Sequence, residues 1–98
     1  MMLVRDVFQA RYGQSDALVT LFKEAKQTWP LMLNHAFRIL TDRSGPFFVV
    51  VTETEVEDFA AWEQLLVEEF ANPDFNDWFS RMMPLVESGR REFYQIEV

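Results

Sequence analysis

Residues Gly45–Phe59 read GPFFVVVTETEVEDF. Phe47 to Val51 run without a polar break, although successive residues of a strand point to opposite faces of a sheet. A strand with one wet face alternates apolar and polar side chains, so an unbroken run asks for cover on both sides. Just upstream, TDRSGP (Thr41–Pro46) supplies the turn formers Asp42, Ser44, Gly45 and Pro46. This predicts a tight antiparallel hairpin whose other strand covers about 35–41. Just downstream, Asp58 is placed to cap a helix carrying Phe59, Trp62, Leu65, Leu66 and Phe70.

Outward from this centre the chain alternates. LVRDVFQARY (Leu3–Tyr12) predicts a first strand, ended by Gly13. Ser15 is a suitable N-cap, and Leu18, Leu21, Phe22 and Ala25 follow at helical spacing to about Thr28, before Pro30 breaks the helix. Asn72, Pro73 and Asp74 signal a helix restart, with Phe75, Trp78, Phe79, Met82 and Met83 on one face. Pro84 and Gly89 close that segment, and Arg91–Val98 (REFYQIEV) predicts a last strand.

The expected fold is therefore α+β: a ferredoxin-like βαββαβ chain with an extra helical segment before the last strand. Right-handed crossovers place the helices on one face of a four-stranded antiparallel sheet of order 4-1-3-2. Residues 1–98 form a single domain, without repeat or linker. The helices cover one face of the third strand and nothing in the chain remains to cover the other. A second copy packed sheet to sheet is the economical cover, so the sequence predicts a homodimer through the sheet face.

The formal net charge of −7 opposes binding to phosphate backbones and anionic lipid, so neither nucleic acid nor membrane is an expected partner. No apolar run approaches the ~20 residues of a membrane span. Arg5 and Asp6 interrupt the start of the chain too early for a signal peptide, and a cytoplasmic protein is expected. The absence of Cys excludes disulfides, thiol catalysis and thiolate metal sites.

The stretches ILTDRSGPFFVVVTETEVEDFAAWEQ and DFNDWFSRMMPLVESGRREFYQIE resemble small bacterial members of the dimeric α+β barrel superfamily. That superfamily includes antibiotic-biosynthesis monooxygenases, haem-degrading monooxygenases, and the NIPSNAP and EthD-type families. The resemblance implies two sheets forming a barrel across a dimer interface, and a ligand pocket between sheet and helices in each subunit. Cofactor-free oxygenases of this type commonly carry an Asn on the first strand with a Trp and a His or Arg nearby. Here that strand carries Arg5, Asp6, Gln9 and Arg11, while Trp62 is placed as the aromatic member. The only His, His35, opens the second strand and not the helix where a haem-degrading relative holds its axial ligand. No cofactor is expected.

Each candidate residue has a plain and a functional reading. His35 and Tyr94 are the catalytic candidates, as proton acceptor and phenolate holder, against ordinary roles at the surface or in cross-strand pairs. Trp62, Trp78, Phe79 and Met82 line either an apolar ligand pocket or plain core, and Arg38 is the cation that would orient a ligand there. Arg5 and Arg11 are read chiefly as cross-strand ion-pair partners. Glu53, Glu55 and Glu57 share one parity, a solvated strand end before a hard-cation site. No second His or Cys completes a transition-metal site, and no metal is expected. Together these predict a small homodimeric binding or structural module holding an apolar or aromatic ligand. The alternative is a cofactor-independent monooxygenase or related enzyme acting on a small aromatic compound.

Overall fold

The computed structural model describes residues 1–29 and 35–98. The elements are β1 (Met2–Ala10), α1 (Ser15–Thr28), β2 (Phe37–Thr41), β3 (Val49–Val56), α2 (Phe59–Phe70), α3 (Pro73–Met82), a 3₁₀ turn (Met83–Leu85) and β4 (Val86–Gln95). The sheet is antiparallel, in order β2-β3-β1-β4, so β1 and β3 are central as the crossover argument requires. This is the ferredoxin-like α+β arrangement. The helix break expected at Pro30 lies outside the described residues.

Local chemistry sets the helix starts. The Asp58 carboxylate accepts a hydrogen bond from the Ala61 amide at 2.8 Å, and the Asn72 side chain accepts from the Asp74 amide at 2.9 Å with Pro73 at the first helical position. Ser15, expected as a cap, is instead the first helical residue. Gln14 holds the capping position without a side-chain bond.

Strand register sorts the side chains. Val4, Asp6 and Phe8 of β1 stand opposite Thr54, Thr52 and Val50 of β3 on the helix-covered face. Leu3, Arg5 and Val7 stand opposite Glu55, Glu53 and Val51 on the open face. Val50, with none of its surface exposed, joins Ala10, Leu18, Phe22 and Trp78 in the main core. A smaller cluster of Met2, Val4 and Val56 packs under Trp62 and Leu65.

Three expectations about strand ends are corrected. Phe47 and Phe48 do not belong to the third strand, which begins at Val49. Phe48 has a φ of 59°, a left-handed conformation uncommon for a bulky residue. Its carbonyl accepts from the Ala10 amide at 2.9 Å, and the Gln9 side chain donates to the Phe47 carbonyl at 2.7 Å. The Asp42 side chain accepts from the Val49 amide at 2.9 Å, so the connection from β2 is a wide loop rather than a tight turn. The second strand begins at Phe37 and leaves His35 outside it. The last strand begins at Val86, not Arg91, and ends at Gln95. Glu87, Ser88, Gly89 and Arg90 carry no apolar pattern, yet an edge strand takes its place from the backbone ladder with β1. Gly89 stands opposite Phe8, where an added Cβ would meet the Val7 carbonyl at 3.3 Å and the Phe8 ring at 3.5 Å.

Of Glu53, Glu55 and Glu57, expected as a solvated row, Glu57 is exposed and Glu55 half-buried, but Glu53 departs from the expectation. Glu53 is only 3% exposed, clamped by Arg5 Nε at 2.7 Å and Arg38 Nε at 2.6 Å. Burial alone would push its carboxyl up, but the hydrogen bonds and charges of the two guanidiniums outweigh that and hold it below the usual carboxylate range. The Arg5 guanidinium also lies 5.1 Å over the Tyr94 ring. Leu3, Val7, Leu40, Val49 and Val51 surround this knot of charge.

Candidate functional site

A cavity of about 240 Å³ lies between the covered face of the sheet and the helices. Phe8, Phe37, Thr52 and Thr54 rise from the sheet to form its floor. Leu65, Leu66 and Phe70 of α2 and Phe75 of α3 close it from above, with Phe22 of α1 on a third side. The spacing that builds α2 and α3 as amphipathic helices aims these apolar faces at the sheet.

Five of the seven candidates read from the sequence stand around this cavity: Trp62, Trp78, Phe79, Met82 and His35. Trp78 is held firmly, its indole N–H donating to the Leu21 carbonyl at 2.8 Å and its ring 5.2 Å from Trp29 and 5.3 Å from Phe22. Arg38 and Tyr94 lie on the other face of the sheet, in the knot around Glu53, and neither lines the cavity. Arg5 likewise pairs with Glu53, and Arg11 Nε donates to the Pro84 carbonyl at 2.9 Å.

The cavity has a charged end that the sequence reading did not assemble. Asp6 on β1 and Arg91 on β4 are direct register partners. Arg91 Nε reaches one Asp6 oxygen at 2.7 Å and a second guanidinium nitrogen reaches the other at 3.2 Å, a two-pronged pair. The same guanidinium lies 4.8 Å over the Trp62 ring. Glu69 of α2 lines the cavity beside them, and among the described residues no hydrogen bond or ion pair reaches its carboxylate. Burial pushes the Glu69 carboxyl up to about 7; Arg91 pulls against that shift and Asp6 adds to it.

A raised carboxyl weakens the fold as it ionises. Between about 4.5 and about 7 the unfolded chain has released this proton while the folded chain still holds it, so stability falls as pH rises through that window. The loss is of order 3 kcal/mol. Glu69→Gln is expected to remove this part of the pH dependence and to stabilise the protein at about pH 8 relative to about pH 5. Denaturant titrations of the two proteins at both pH values test this. Equal slopes would mean that the carboxylate is solvated.

Asp6 and Glu69 each had a signal in the sequence. Asp6 shares the parity of Val4, Phe8 and Ala10, a charge among inward positions. Glu69 sits at i+7 from Trp62, with Leu65 and Leu66 between, so a carboxylate continues an apolar stripe. Arg91 had none, because its place beside Asp6 follows from the β1–β4 register. Among the described residues no group of three or more His, Cys, Asp or Glu is placed to hold a metal ion.

Solved structures share this arrangement over nearly the whole chain. An uncharacterized NIPSNAP domain protein from Burkholderia xenovorans matches 99% of this chain and 95% of its own with a TM-score of 0.87 at 15% identity. The likeness is one of fold, the ferredoxin-like α+β arrangement with its four-stranded antiparallel sheet. A NIPSNAP family protein from Agrobacterium tumefaciens matches 98% of this chain and 86% of its own, with a TM-score of 0.84 at 15% identity. SnoaB, a cofactor-independent oxygenase from Streptomyces nogalater, matches 99% of this chain and 93% of its own, with a TM-score of 0.71 at 13% identity. No family model and no curated protein matches the sequence. Likeness at these identities concerns the fold alone, and one scaffold of this kind hosts many activities. No described helix is long and apolar enough to cross a membrane.

Proposed function

We propose that this protein is a homodimeric small-molecule binding protein whose ligand, an aromatic compound of one or two rings, occupies the cavity between sheet and helices. The observation that carries this reading is the cavity itself. It is apolar on most sides, charged at one end, and at about 240 Å³ suited to a small ligand. A module of purely structural role would be packed through at this position. Trp62, Phe79 and Met82 form walls for the ligand, and His35 stands at its edge. The dimer would join through the open face, where apolar side chains surround the neutralised Glu53.

Two measurements test the two halves of this reading. Native mass spectrometry is expected to give twice the 11.6 kDa chain mass; a monomer sinks the dimer. Titration with 2-naphthylmethanol, followed by NMR, is expected to shift the Trp62 and Trp78 indole signals together with amides of α2 and α3. Shifts scattered over the outer surface would sink the ligand site.

A cofactor-independent oxygenase acting on a small aromatic compound is the second reading. It is favoured by Asp6, Arg91 and Glu69 converging on the cavity, since a base near neutrality suits proton abstraction from such a substrate. Oxygen uptake with a phenolic probe, above the rate without protein and lost in Glu69→Gln, would support it.

A further inference from the structure

Resting on the ligand-binding reading and going beyond it, we propose that the ligand is an organic cation, an arylalkylamine whose ammonium group pairs with Glu69 while its ring lies among the cavity's aromatic side chains. The charged end holds two carboxylates, Asp6 and Glu69, against one guanidinium. Arg91 is already committed. Two of its nitrogens go to Asp6 at 2.7 and 3.2 Å, and its face is covered by Trp62 at 4.8 Å. Among the described residues Glu69 is therefore the acceptor left over at the charged end, and a half-buried carboxylate beside apolar walls is stabilised when a cation or a proton joins it.

A ligand that supplies the missing charge replaces the proton. A neutral ligand offers at most a weak donor, and an anionic one meets a net negative end. The walls agree with this choice, because the faces of Trp and Phe attract an ammonium group by their quadrupoles. The charged and titratable groups that share the cavity lining with Glu69 are Asp6 on β1, Arg91 on β4 and His35 ahead of β2. The described parts of α1 and α3 contribute none to the lining. The net charge of −7 also raises the concentration of cations near the protein.

Three probes of one shape separate the possibilities: 2-naphthylmethylamine, 2-naphthylmethanol and 2-naphthoate, each titrated calorimetrically into the intact protein. The amine is expected to bind about tenfold or more tighter than the alcohol, as a charge-assisted hydrogen bond provides, with naphthoate weakest. Its advantage should widen between about pH 6 and about pH 8, as Glu69 gives up its proton while the ammonium keeps its own. Glu69→Gln should erase the advantage of the amine over the alcohol. Equal affinity for amine and alcohol, or an advantage that persists in Glu69→Gln, overturns the cation while leaving the cavity reading standing. Tightest binding of naphthoate overturns it as well and points to Arg91. If none of the three binds, the cavity reading falls and takes this inference with it.

Discussion

Val50→Asp is expected to leave no stably folded protein, whereas Val49→Asp leaves the subunit folded and breaks the proposed dimer. Val50 is wholly buried against α1 and α3 in the main core. A carboxylate there must either stay charged without water or take up a proton far above its ordinary pKa, and the valine's packing is lost as well. The sum is about 5 kcal/mol or more, comparable to the whole stability of a small domain. Val49 is one residue away, so its side chain leaves the other side of the sheet. There it is half-buried next to Leu40 and Val51 rather than under a helix. Circular dichroism and native mass spectrometry on both variants read out fold and assembly separately. A folded Val50→Asp protein would mean that the strand parity is reversed.

Trp78→Ala is expected to cost about 3–5 kcal/mol and to lower Tm by more than about 10 °C. Trp78 is 5% exposed and touches Phe22, Trp29 and Phe75, so its removal opens a void in the middle of an aromatic cluster. Trp78→Phe keeps much of that ring contact and loses the N–H donated to Leu21, so it should cost about 1 kcal/mol. The same void adjoins the ligand cavity. Benzene added to Trp78→Ala is therefore expected to recover part of the lost stability, as an apolar ligand does in a dry engineered hole. A loss below about 1 kcal/mol for Trp78→Ala would show that the tryptophan is a pocket wall and no part of the core.

The fold was legible because each local signal agreed with the next. Apolar spacing marked α1 and α3, Asp58 and Asn72 marked the starts of α2 and α3, and the element order left few topologies. The starting run itself was misleading. Its five apolar residues divide into two in the loop, Phe47 and Phe48, and three in the strand. Counting from Val49 sets Glu53 and Glu55 on one side and Thr52 and Thr54 on the other, and this parity decides which valine is core. Neither the burial of Glu53 nor the charged end of the cavity could be read in the same way. Glu53 depends on Arg5 and Arg38 from its two neighbouring strands, and Arg91 reaches Asp6 across 85 residues of chain. Such encounters are set by register, and no local period records them.

The place of β1 between β3 and β4 has a bearing on how the chain is made. Met2–Ala10 is synthesised before both of its sheet neighbours, Val49–Val56 and then Val86–Gln95. Until Val49–Val56 is made the central strand has no partner on either edge, and until Val86–Gln95 is made one edge stays open. An unpaired β1 is an open template for pairing between incomplete chains, and the repulsion of their shared negative charge opposes that encounter.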